Sequence, residues 1–226
     1  MQFSRQSVLF LHVPKTGGNF VTRALIDQSD DEMKLTRGIQ DGIDRFEVRG
    51  PATKSKHQGL GSYSSRLGTG IAAYRVYAIA RPPLQRLVSL YFSPHRWIQR
   101  KRGKTVALDI PDRIDLDEFT ALIRTAPSIA SMVDIGWMAP GLRLGAPARH
   151  ASGALVELLD FARLKEELQR LCATHGLSLA EQPGRPVNKS ARTDQDAITA
   201  MQRDDLLDRI HASHHARDLA FFEGGD

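Results

Sequence analysis

The chain has 226 residues, enough for one sizeable core and cramped for two, and its 41% hydrophobic and 25% charged residues exclude disorder of the whole chain. The 31 Lys and Arg outweigh the 26 Asp and Glu to give a net charge of +5, which suits an anionic ligand; no basic tail points to nucleic acid as a partner. The single cysteine, Cys172, excludes an internal disulfide and a cysteine-rich metal site. The longest apolar run near the amino end, residues 8–11, is far short of the ~20 residues of a spanning helix and of a signal-peptide core. The expectation is one cytoplasmic domain over residues 1–226, without membrane insertion.

Residues 7–13 form a short apolar run closed by Pro14, Gly17 and Gly18, the pattern of a buried strand. Phe20, Ala24 and Leu25 then recur at helical spacing, so a helix is predicted from about Gly18. Residues 29–56 are polar and read as a connection with one short strand near 46–48. A short helix over 62–67 ends at Gly68 and Gly70. Residues 74–80 are a second buried strand, and Pro82 and Pro83 open a helix whose inner face carries Leu84, Leu87, Val88 and Tyr91. The basic run Arg96, Arg100, Lys101, Arg102 and Lys104 reads first as a solvated helix end and otherwise as a patch facing phosphate or acceptor. An amphipathic helix follows over 115–125. Residues 127–153, rich in Pro, Gly and Ala, are predicted as a mobile loop or lid. A third strand over 155–161 leads into a helix over 163–175 that buries Cys172, then a polar loop over 178–196 and a last helix over 204–221. Strands alternating with helices predict an α/β fold: a three-layer arrangement with a central parallel sheet.

Two strand–helix junctions carry the chemistry. At the first, residues 13–20 (VPKTGGNF), glycines let backbone N–H groups approach a phosphate, the helix start adds unpaired donors, and Lys15 adds a full charge. The lysine precedes the glycines, so this is not the ATP-binding order G-x-x-x-x-G-K-[ST]. At the second, residues 77–92 (YAIARPPLQRLVSLYF), Arg81 ends a strand on the side where open α/β sheets bind ligands, and its planar fork suits a phosphate. Ser89 follows two turns into the next helix.

Together these segments resemble the two nucleotide motifs of sulfotransferases that use 3'-phosphoadenosine 5'-phosphosulfate (PAPS), and the chain is similar to their carbohydrate-type branch. The resemblance implies a P-loop-like nucleotide site. Lys15, Thr16, Gly17, Gly18, Asn19 and Phe20 would hold the 5'-phosphosulfate, and Arg81 and Ser89 the 3'-phosphate. Asn19 and Phe20 stand where the family has hydroxyl residues, and Pro82-Pro83 departs from its usual turn. Residues 56–68 (KHQGLGSYSSRLG) resemble the segment holding that branch's catalytic histidine, which implies His57 as base beside Lys15 as charge stabiliser. Residues 155–171 resemble its late strand and helix. Residues 187–192 (VNKSAR) resemble its Asn-x-Ser segment, which adds Lys189, Ser190 and Arg192 as residues closing over the nucleotide, and Asp218 in the last helix also fits.

The implied reaction moves a sulfuryl group from PAPS to a hydroxyl of a carbohydrate or small-metabolite acceptor, with no metal. His12 reads as a satisfied core histidine. His211 and His215 share an i,i+4 spacing but lack further ligands, so they read as surface residues. Two other readings compete: a P-loop kinase using Asp160 to hold Mg²⁺, and a catalytically silent nucleotide-binding module. Nucleic-acid binding lacks the interleaved aromatic and basic residues of single-strand readers.

Overall fold

The computed structural model describes residues 1–35, 46–101, 104–134, 143–180 and 194–224. A short strand β1 (Gln2–Phe3) is followed by β2 (Val8–Leu11) and helix α1 (Gly18–Leu25). Strands β3 (Glu32–Leu35) and β4 (Phe46–Arg49) pair antiparallel as a separate ribbon. Helix α2 (Leu60–Leu67) stops at Gly68, whose φ of +55° suits glycine, and leads into β5 (Arg75–Ala80). Then come α3 (Pro83–Tyr91), the one-turn α4 (Pro94–Trp97), and a ribbon of β6 (Ile98–Lys101) with β7 (Lys104–Ala107). Helices α5 (Leu116–Thr125) and α6 (Ile129–Val133) precede β8 (Pro147–Arg149), β9 (Leu155–Asp160) and α7 (Leu164–His175). The described chain closes with α8 (Gln195–Met201), α9 (Arg203–His211) and α10 (Ala216–Glu223). Among the described residues no helix is long and apolar enough to cross a membrane.

The main sheet has five strands in the order β1-β2-β5-β9-β8. Its centre, β2-β5-β9, is parallel as expected, but β1 and β8 run antiparallel at the two edges, so the sheet is mixed and not wholly parallel. Strand side chains alternate between its faces. Phe10, Tyr77, Ile79 and Leu159 point to the side covered by Val21 and Leu25 of α1 and Leu168, Leu171 and Cys172 of α7. Leu9, Leu11, Val76, Ala78 and Leu158 point to the other, covered by Leu60 and Tyr63 of α2 and Met132 and Val133 of α6. A third cluster joins Leu84, Leu87, Val88 and Tyr91 of α3 to Phe119 and Ile123 of α5, Leu206 and Ile210 of α9 and Leu219 of α10.

Several local expectations are corrected. The connection before α2 holds a ribbon because Glu32–Leu35 pairs with Phe46–Arg49, one strand more than the sequence pattern marked. The basic run after Trp97 is β-ribbon rather than a helix end: Ile98 to Lys101 pairs back on Lys104 to Ala107. The stretch 127–153 is no plain loop. It contains α6, capped by Ser128, and the edge strand β8; residues 135–142 lie outside the described residues. The single last helix is two, separated by a turn at Ala212–His215. His211 ends α9 and His215 lies in the turn before α10, so the two do not share one continuous helix at i,i+4. His215 is fully buried and its Nε2–H donates to the Ile123 carbonyl at 3.1 Å.

Two charge clusters built on buried carboxylates tie helices to this frame. Glu157, in the middle of β9 and 2% exposed, accepts from Arg170 of α7, which also pairs with Glu167. On the opposite side Arg86 of α3 lies 3.6 Å from Asp218 of α10, both 0% exposed. Asp218 also accepts the Ile129 and Ala130 N–H groups at 2.8 and 3.0 Å, capping the start of α6.

Candidate functional site

The carboxyl ends of the three parallel strands meet one cleft of about 390 Å³. This is where open α/β sheets place ligands. After β2 comes the loop Pro14–Gly17 and the start of α1; after β5 comes Arg81; after β9 comes Phe161. Lys15, Gly17, Gly18, Asn19, Phe20, His57, Arg81 and Ser89, all singled out from sequence, line it together. Thr16 does not. It is 1% exposed and its hydroxyl donates to the Val13 carbonyl at 2.9 Å, so its side chain clips the loop shut instead of facing a ligand. Lys189, Ser190 and Arg192 lie outside the described residues.

The loop is tightly constrained. Gly17 has φ +82°, and Lys15 adopts φ +67°, a left-handed conformation that costs a non-glycine residue energy. A methyl group on Gly18 would fall 2.0 Å from Cδ2 of the His12 ring, so only glycine lets α1 begin against that histidine. The first N–H groups of α1 have no intrahelical acceptor and the helix start carries partial positive charge. Burial, and then the neighbouring Arg81, push the Lys15 ammonium down to a pKa of about 8, still mostly charged at neutral pH.

Arg81 is held from two sides. Its Nη1 donates to the Lys15 carbonyl at 3.2 Å, and its guanidinium stacks on the Phe161 ring at 4.4 Å. Its Nε is buried with no partner among the described residues. Burial lowers its pKa and Asp196 partly offsets this. Ser89, 8% exposed, faces the cleft from α3.

His57 also lines the cleft. Its Nδ1–H donates to the His12 carbonyl at 2.8 Å, which fixes the tautomer and leaves the Nε2 lone pair to accept a proton. The rings of His12 and His57 meet edge to face at 4.7 Å. Desolvation first, and then Lys56, lower the His57 pKa, while the bond to His12 and Glu47 raise it; the net shift is downward, so the imidazole is neutral at pH 7. His12 is 5% exposed and its pKa is held well below the usual value by burial, His57 and Lys56. The Thr22 hydroxyl donates to the Gly18 carbonyl at 2.8 Å and so can only accept from His12 Nδ1, at 3.4 Å. His12 is buried but also lines the cleft, and its carbonyl and ring contact His57.

Other wall residues carried no sequence assignment to the site: Lys56, Ser93, His95 and Phe161; Arg96, read first as part of a solvated helix end and otherwise as facing phosphate or acceptor, also lines the cleft. Phe161 was legible in principle, as the first residue beyond the third parallel strand. The described lining carries Lys15, Lys56, Arg81 and Arg96 and no Asp or Glu. Such a wall concentrates anions, and its apolar parts (Phe20, Leu90, Leu122 and Phe161) suit a flat or aliphatic group attached to them. Asp160, the residue a kinase would need at this strand end, instead accepts the Ala162 N–H at 2.8 Å and caps the turn after β9. Compared with known proteins, the chain matches no family model, no curated protein and no solved structure.

Proposed function

We propose that this chain is a sulfotransferase with a P-loop-like nucleotide site, transferring a sulfuryl group from PAPS to an acceptor hydroxyl. One observation carries the reading: Lys15 with the glycine loop, Arg81 with Ser89, and His57 converge on one cleft whose described lining has cations and no carboxylate. An anionic nucleotide with phosphates on both the 3' and the 5' oxygen of its ribose answers both cationic sites. In the reaction, the acceptor oxygen forms a bond to sulfur as the bond from sulfur to the 5'-phosphate oxygen breaks. His57 Nε2 takes the hydroxyl proton, and the electron pair of the broken bond leaves on the 5'-phosphate. Lys15 and the amides at the start of α1 stabilise that developing charge. A carbohydrate or small metabolite supplies the hydroxyl.

The test is calorimetric titration with 3'-phosphoadenosine 5'-phosphate (PAP) and, separately, ADP, both without magnesium. Tight binding of PAP with weak binding of ADP supports the reading. Equal affinities would return the kinase reading to first place. Asp160 counts against that alternative, since its carboxylate is engaged in a turn cap and is not part of the described cleft lining.

A further inference from the structure

The cleft continues beyond Arg81 and Ser89. Ser93 and Arg96 follow Ser89 at i+4 and i+7 across the junction of α3 and α4, and both line it. Ser93 is 4% exposed. The Arg96 guanidinium is fixed on three sides. It stacks 4.5 Å from the Tyr91 ring centroid and 5.4 Å from that of Trp97, and its Nη2 donates to Glu118 at 3.0 Å. Its Nη1 is buried and has no hydrogen-bond partner among the described residues.

A buried donor left unmet costs about 1–3 kcal/mol, and more on a charged group. Nη1 is closed to water, so an oxyanion in the cleft meets the exposed part of the guanidinium, whose side chain is 29% exposed, and the unmet donor shows that Arg96 is held short of its full set of partners. The stacked guanidinium has already lost most of its freedom, so it would bind a planar or tetrahedral oxyanion at low entropic cost. Glu118 is 55% exposed on its side chain, so it neutralises Arg96 only weakly.

We propose that Arg96 and Ser93 form a further oxyanion subsite, for a phosphate or sulfate group, at the α3–α4 end of the cleft. Naming the source of that group rests on the nucleotide reading above: it is either a phosphate of the nucleotide itself or an anionic group on the acceptor. Calorimetry on the full chain separates the two. PAP is titrated into wild type, Arg96→Gln and Glu118→Gln, and inorganic sulfate is titrated into each protein free and saturated with PAP. A tenfold or greater loss of PAP affinity in Arg96→Gln assigns the subsite to the nucleotide. Unchanged PAP affinity, with sulfate binding to PAP-saturated wild type but not to PAP-saturated Arg96→Gln, assigns it to an anionic acceptor. In both cases Glu118→Gln binds the anion as well as wild type or better, because it frees Arg96. The subsite is overturned if Arg96→Gln binds PAP and sulfate like wild type. It is equally overturned if Glu118→Gln loses as much as Arg96→Gln, since Arg96 is then only a tie between α4 and α5. If PAP does not bind at all, the sulfotransferase reading fails, while the free-protein sulfate titrations still decide the subsite.

Discussion

Asp218→Ala is the sharpest test of how the α3 side of the cleft is held. The carboxylate is fully buried, caps α6 through two N–H groups at 2.8 and 3.0 Å, and lies 3.6 Å from a fully buried Arg86. Removing it strands two helix-start donors and leaves the Arg86 charge, among the described residues, with the Pro127 carbonyl and His215 Nδ1, both at 3.1 Å. Breaking a buried pair from one side costs about 3–5 kcal/mol. For a chain of this size that is roughly 6–20 °C of melting temperature, at about 2–4 °C per kcal/mol. Urea unfolding and calorimetry measure it. Replacing both partners together, Arg86→Met with Asp218→Leu, is expected to recover most of the loss, because no unpaired charge remains. A single-variant cost below about 1 kcal/mol, or a double variant no better than the single, would show that the pair does not anchor α3 and α10 as described.

Other consequences concern the cleft itself. With the Lys15 pKa at about 8, its charge is present below that pH and lost above it. Ligand phosphate holds the proton on, so PAP affinity is expected to fall about tenfold between pH 7 and 9, with proton uptake on binding at the upper end; a flat profile would remove Lys15 from the site. His57→Gln is expected to lower transfer by about 10²–10⁴ while PAP affinity stays within about twofold. Because the His57 pKa lies below its ordinary value, activity should hold through neutral pH and decline only as the imidazole protonates at lower pH; a pH–rate profile reads this. Gly18→Ala pushes a methyl group into the His12 ring, which should weaken PAP binding and lower the melting temperature together.

The three parallel strands and the helices after them were legible because their signals are local. Apolar runs of strand length end at Pro14, Pro82 and Asp160, and helical spacing resumes at once. Of the first ribbon only the strand near 46–48 was legible, and the second ribbon was not. Glu32–Leu35 and Ile98–Lys101 mix charged and apolar residues, and what makes them strands is pairing with a distant or following segment. The antiparallel edges were hidden for the same reason: β1 is two residues long and β8 contains Pro147. Within the site, Lys15 and Arg81 announced themselves by position after a strand, and Ser89 through the resemblance. Thr16 looked identical in kind, and only the fold reveals that its hydroxyl turns inward to Val13. Arg96 was read as part of a basic run; its place in the cleft depends on Tyr91, Trp97 and Glu118 closing around it.

The most direct measurement of the central claim is the ratio of ADP to PAP dissociation constants in wild type and in Arg81→Gln, without magnesium. If Arg81 reads a 3'-phosphate, wild type prefers PAP strongly and Arg81→Gln loses that preference through weaker PAP binding, with ADP nearly unchanged. If wild type shows no preference, or Arg81→Gln weakens both nucleotides equally, the cleft is not a PAPS site and the sulfotransferase reading falls.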